Sequence, residues 1–138
     1  MSGGDLPPPV RQFLVEHIES YEALELLLWL SGQAGKEYSS AEAGSSIGIP
    51  SEHAGEVLDQ LVEGGLASSR DTGGMRRFRY LRRSDEEERV LSDLRHARET
   101  NLVGIVRAMS ENAIQRIKGG MLRTFADAFL LKRKKKDG

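Results

Sequence analysis

Ala54, Val57, Leu58, Leu61 and Val62 fall at i, i+3, i+4, i+7 and i+8 and stop at Gly64-Gly65, after which the period changes from helical to alternating. Such a stripe defines one face of an amphipathic helix, and the glycine pair closes it. Leu66 to Arg70 and Met75 to Leu81, joined through Asp71-Thr72-Gly73-Gly74, then predict a β-hairpin with Phe78 and Tyr80 on one face and Arg77 and Arg79 on the other. Upstream, Ser39 followed three residues later by Glu42 matches a capping box. Gly44, Gly48 and Pro50 keep the helix it opens short, and Gln33 to Tyr38 is expected to be a polar loop. The chain is therefore constrained to two helices across a tight turn, the second leading straight into a hairpin.

The flanks are helical as well. Pro7-Pro8-Pro9 is a stiff lead-in whose last proline suits the first turn of a helix carrying Val10, Phe13, Leu14 and Ile18. A second helix is expected from Ser20 to about Ser31, and Leu24 with Leu26 to Leu30 makes it apolar nearly all round, hence central. After the hairpin, Ser84 with Glu87 predicts another capping box, and Asp85 to Glu88 suit the positive pole of the helix that follows. Leu91, Leu94, Leu102, Ile105, Met109 and Ala113 keep a three-four spacing in that long helix, interrupted at Arg98. Lys118-Gly119-Gly120 is expected to break it, ahead of a last short helix with Met121, Leu122, Phe125, Phe129 and Leu130.

Charge divides the chain near Arg70. Residues 1–69 hold two basic and eleven acidic side chains, residues 70–138 eighteen basic and ten acidic, so the net −1 conceals about −9 and +8. Asymmetry of this kind points to a polyanion-binding surface.

Three helices, a two-stranded hairpin and flanking helices resemble the winged helix-turn-helix fold. Pro9-Val10-Arg11-Gln12-Phe13-Leu14, His17-Ile18-Glu19-Ser20 with the Leu-rich helix after it, and Phe125-Ala126-Asp127-Ala128-Phe129-Leu130 are similar to segments of small bacterial winged-helix proteins grouped as transcriptional regulators. Those segments have no assigned chemistry. The architecture also resembles dimeric repressors of the multiple-antibiotic-resistance regulator class, a likeness of fold only. The expected fold is mainly α with a small β-hairpin. It comprises a disordered lead-in over 1–8, a winged helix-turn-helix domain over 9–83, a helical dimerisation segment over 84–131 and a basic tail over 132–138.

In such a fold the second helix of the helix-turn-helix reads base edges. Here that helix, Ser51 to Glu63, turns outward Glu52, His53, Gly55, Glu56, Asp59, Gln60 and Glu63, with no Arg or Lys. Ser51, His53 and Gln60 are candidate base contacts, but the carboxylates repel phosphate, so the same face is also read as an acidic docking surface for a basic protein partner. The hairpin differs: Arg70, Arg76, Arg77, Arg79, Arg82 and Arg83 lie within fourteen residues. The first five are candidate phosphate or minor-groove contacts, with pairing to the acidic first half or to Asp85 to Glu88 as the alternative. Leu91, Leu94, Leu102, Ile105, Val106, Met109, Phe125 and Phe129 are candidate homodimer contacts, unless the helix folds back on its own domain, and Arg98 and Asn101 either set register or mark a bend. Lys132 to Lys136 read as a solvated end, a nucleic-acid arm or an interfacial anchor; a membrane contact is not expected.

Catalysis finds no foothold. His17, His53 and His96 are scattered, there is no cysteine, and Gly32-Gln33-Ala34-Gly35-Lys36 lacks P-loop spacing. No enzyme activity, cofactor or metal is expected. Met1 to Pro9 lacks the basic-then-apolar order of a secretory leader, and the apolar run Leu26 to Leu30 is too short for a bilayer, which predicts a cytoplasmic chain. The expected function is a homodimeric DNA-binding transcriptional regulator using an Arg-rich wing on double-stranded DNA, with a DNA-free interaction module as the alternative.

Overall fold

The computed structural model describes residues 6–33 and 35–111. Helix α1 (Pro8–His17) has two of the three prolines in its first turn, where no amide donor is needed. Helix α2 (Tyr21–Ser31) begins after Ser20, whose hydroxyl accepts from the Ala23 N–H at 3.1 Å. Leu24, Leu26, Leu27 and Leu30 are fully buried, so α2 is the central helix that its all-round apolar character predicts.

The segment expected to be only a loop ends in a short strand, β1 (Tyr38–Ser39), which pairs with the hairpin. Two residues carry too little pattern to announce a strand. What places it is Tyr38, whose ring lies 4.6 Å from that of Trp29 on α2 and whose hydroxyl donates to Gln33 Oε1 at 3.0 Å. The predicted capping box then opens α3 (Ser40–Ile47), with both reciprocal bonds between Ser39 and Glu42 present. The Ser39 amide first, donating to the Glu42 carboxylate, and the neighbouring Ser39 hydroxyl second hold that carboxyl below the usual carboxylate range, with Arg77 adding to the effect.

Helix α4 (Ser51–Glu63) buries Ala54, Val57, Leu58 and Leu61. It crosses α3 so closely that a Cβ on Gly44 would lie 2.6 Å from the Ile49 carbonyl oxygen and 3.3 Å from the Ala54 Cβ. Glycine at that position is a condition of the turn. At the other end of α4 the Gly65 N–H donates to the Val62 carbonyl and the Leu66 N–H to the Leu61 carbonyl, leaving Leu61 and Leu66 both buried.

The hairpin consists of β2 (Ala67–Thr72) and β3 (Met75–Tyr80), and the antiparallel sheet has the order β1-β3-β2. Its turn is shorter than expected. Asp71 pairs with Arg76 and Thr72 with Met75, so only Gly73 and Gly74 are left to turn, at φ 59° and 81°. A two-residue loop of that hand follows the strand twist, which lets pairing run to its edge.

Helix α5 (Asp85–Thr100) departs from expectation at both ends. Ser84 Oγ accepts from the Glu87 N–H at 3.1 Å, but the Glu87 carboxylate turns to Arg83 rather than completing a capping box. A guanidinium outcompetes a backbone amide for a carboxylate. The expected single long helix breaks at Asn101 (φ −147°, ψ 55°), and residues 102–111 form a second helical stretch. Asn101 Oδ1 accepts from the Gly104 N–H at 3.1 Å, so Asn101 closes one helix and caps the next. Ala113, the expected break at Lys118 to Gly120, the last helix with Phe125 and Phe129, and the tail lie outside the described residues.

Helix α5 and the stretch 102–111 pack on their own chain. Leu91, Leu94 and Ile105 are completely buried in the chain's own core, Arg95 donates to the Leu28 carbonyl at 3.2 Å and to the Ser31 hydroxyl, and Arg98 pairs with Glu25 at 2.6 Å. Tyr80 at the end of β3 donates to the Glu88 carboxylate, tying the hairpin to α5; burial first, and Glu88 second, push the phenol pKa up. The helices α1 to α4, the turn and the hairpin form a winged helix-turn-helix, mainly helical, with a small three-stranded sheet.

Candidate nucleic-acid interface

The six hairpin arginines form three groups. Strand alternation turns Arg76 to the same face as Phe78, where its guanidinium lies 5.0 Å from the ring centroid. From there its Nη1 comes within 2.5 Å of Asp59 Oδ1 on α4, and its Nη2 donates to Ser69 Oγ at 3.0 Å. Asp59 Oδ1 is shielded from solvent without an aligned hydrogen bond, so the contact is an ion pair set by proximity. The wing is thereby tethered to the helix expected to read bases.

Arg70, Arg77 and Arg79 occupy the opposite face. Register places Arg70 directly across from Arg77 and Ser68 across from Arg79. Arg70 makes a two-pronged contact with Glu37, at 2.6 and 2.8 Å, which lowers the Glu37 pKa and raises that of Arg70. Arg77 stands 3.6 Å from Glu42, and Arg79 Nε donates to Ser68 Oγ at 3.2 Å. Arg82 and Arg83 lie beyond the strand and pair with Asp85 and Glu87 at the start of α5; the Glu87 bond raises the Arg83 pKa. For Arg82 the alternative of pairing with the Asp85 to Glu88 run describes the structure. Most of these pairs stand in solvent, which screens them, so they orient the arginines more than they stabilise the fold.

The candidate residues of α4 are dispersed. Ser51 lines a cleft of about 450 Å³ shared with Asp59, Met75 and Arg76, and its hydroxyl lies 3.5 Å from that of Ser40. His53 instead sits 3.8 Å from Glu22 and 3.9 Å from Glu56, and Gln60 opens onto a hollow with Glu16, Glu19 and Glu63. Of these three, only Ser51 lines a cleft together with wing residues. Glu52, Glu56, Gln60 and Glu63 are exposed along α4, and the helix carries no Arg or Lys of its own.

Sequence reasoning missed Lys36 and Ser68. Together with Gly35, Glu37, Arg70 and Arg79 they line a second hollow of about 620 Å³ on the outer side of the sheet. Ser68 shares strand parity with Arg70, a signal present in the sequence; Lys36 carried none, because its position depends on β1. The candidate dimer residues also separate: Leu91, Leu94 and Ile105 are internal, Met109 is half-buried against the core, and Leu102 and Val106 are 45% and 48% exposed. Among the described residues no helix is long and apolar enough to cross a membrane, and no three His, Asp or Glu side chains cluster as metal ligands.

Comparison with solved structures returns transcriptional regulators, each at a TM-score below 0.5. ZitR of Lactococcus lactis, described as a point mutant in complex with DNA, matches at 14% identity over 80% of this chain and 75% of that one, with a TM-score of 0.47. PcaV of Streptomyces coelicolor, described as a transcriptional regulator in complex with its natural ligand, matches at 20% identity over 85% and 84%, with a TM-score of 0.44. Sco5413 from the same organism, described as a MarR family transcriptional regulator, matches at 15% over 80% and 82%, with a TM-score of 0.48. No protein-family model and no curated protein sequence matches the chain. At these values no ligand and no residue role passes from those proteins to this chain.

Proposed function

We propose that the chain is a homodimeric DNA-binding transcriptional regulator whose contact with the duplex is made mainly by wing arginines, on phosphates or in the minor groove. The observation that carries this reading is the cross-strand pair Arg70 and Arg77, with Arg79 beside it on one sheet face. Like charges directly opposite on neighbouring strands destabilise a sheet; Glu37 and Glu42 offset Arg70 and Arg77, while Arg79 has only a hydroxyl partner among the described residues, and this positive excess suits an incoming polyanion. Helix α4 adds little: Ser51 is its one candidate contact beside the wing, and its carboxylates disfavour deep entry into the groove.

Duplex binding measured by fluorescence anisotropy across salt tests this. Binding should fall steeply with salt and depend little on sequence, and Arg76→Ala with Arg77→Ala should reduce the slope of log K against log salt by about 2. No binding at low salt, or a double variant indistinguishable from the parent, would remove the reading.

Dimerisation is proposed through the helical stretch 102–111. Leu102, Val103 and Val106 there are 45%, 63% and 48% exposed, three of the six large hydrophobic side chains exposed among the described residues and the three that lie on one helical stretch. Val103→Asp is expected to yield a folded monomer by light scattering after size exclusion. A dimer that survives the substitution would place the interface elsewhere.

A second reading, an interaction module that receives a basic protein on α4, is favoured by the exposed Glu52, Glu56 and Glu63 on a helix with no Arg or Lys of its own.

A further inference from the structure

The hollow on the outer side of the sheet has a composition that the helix-turn-helix does not require. Three cations, Lys36, Arg70 and Arg79, face it against one carboxylate, Glu37. The loop that leaves α2 brings Lys36 there, because β1 anchors the following residues to β3. Each side chain has donor capacity left over. Among the described residues Arg79 is the one hairpin arginine without a carboxylate partner: its Nε is bound by a neutral hydroxyl and it is otherwise exposed. Ser68 accepts that bond, which leaves its own O–H proton to donate outward. Arg70 uses Nε and Nη2 on Glu37 and retains Nη1. Lys36 has no side-chain partner among the described residues. Glu37 is kept ionised first by Arg70 and then by the fields of Arg79 and Arg77, so it neutralises one charge and orients one guanidinium without filling the hollow.

We propose that Lys36, Ser68, Arg70 and Arg79 form a binding site for a single phosphate group. A planar guanidinium presents paired donors to phosphate oxygens, an ammonium supplies a point charge, and a hydroxyl adds a third direction. Lys36 and Ser68 are not needed by the wing reading, whereas Arg70 and Arg79 belong to both, so the proposal rests on that reading in part. The group comes either from a duplex backbone or from a free phosphorylated small molecule, and the chemistry of the site is the same for both.

The test uses the full chain, ¹⁵N-labelled, titrated with inorganic phosphate and separately with chloride at equal ionic strength, followed by duplex binding of Lys36→Ala and Ser68→Ala. Phosphate should give saturable amide shifts confined to residues 35–37, 68–70 and 79 that chloride does not reproduce, and Lys36→Ala should weaken it about tenfold. If the group is a duplex phosphate, Lys36→Ala also lowers the salt slope of duplex binding by about 1, and inorganic phosphate competes. If it belongs to a free small molecule, phosphate still seats while duplex affinity is unchanged in Lys36→Ala. Either outcome supports the site. Phosphate shifts no different from those of chloride, with duplex binding indifferent to Lys36→Ala and Ser68→Ala, would overturn it. In that case a continued response of duplex binding to Arg76→Ala with Arg77→Ala would leave the wing reading standing; phosphate seating without any duplex binding would do the reverse.

Discussion

Leu58→Ala is expected to lower the unfolding free energy by about 3 kcal/mol, read as a reduced midpoint in urea with an unchanged slope. Leu58 is 0% exposed, in the middle of the stripe with which α4 packs on α2, α3 and β2. Truncation removes its transfer free energy and leaves a cavity that neighbours on separate elements fill only in part. The loss should extend beyond the helix, because Leu66, bonded to the Leu61 carbonyl at 2.9 Å, leads directly into β2. Amide exchange in β2 and β3 should therefore quicken along with that in α4. A loss below about 1 kcal/mol would mean that α4 is not packed as described.

Neutralising α4 with Glu52→Gln, Glu56→Gln and Asp59→Asn together should tighten duplex binding at low salt by about 2 kcal/mol, roughly thirtyfold. Two effects add. Carboxylates facing the duplex are removed, and Arg76, held by Asp59 at 2.5 Å, is released to seek another anion. A polyanion that engages Arg76 in the unaltered chain has to break or share that pair. An affinity unchanged by the triple variant would put α4 away from the duplex and the wing alone against it. Under the interaction-module reading the same variant instead loses a basic protein partner in a pull-down, with duplex binding absent throughout.

Much of the fold was legible because it is coded locally. Ser20, Ser39 and Ser84 cap helices through bonds spanning three residues, and the period of α4 needs no partner to be recognised. The double glycine marked the hairpin, although the turn proved tighter than the four residues around it suggested. Strand β1 was not legible, since two residues hold no pattern and their pairing is with β3, about forty residues away. Asn101 suits either a bend or a register device by sequence; its backbone angles and its bond to Gly104 make it a bend.

The candidate site divides along the same line. Sequence alone established that six arginines cluster between residues 70 and 83, that α4 is acidic, and that the two halves carry opposite charge. Composition and spacing are properties of the chain and survive any folding. The arrangement of those charges is not, because alternation on a strand and packing between distant elements decide which groups meet. Tertiary structure joined the halves through Arg70 with Glu37, Arg76 with Asp59, Arg77 with Glu42, Arg98 with Glu25 and Arg11 with Glu111. It divided one arginine run among the inner face, the outer face and the start of α5, and it brought Lys36 beside Arg79. Ion pairing acts over a few ångströms and is indifferent to separation along the chain, so only the folded backbone determines which arginines remain available to a partner.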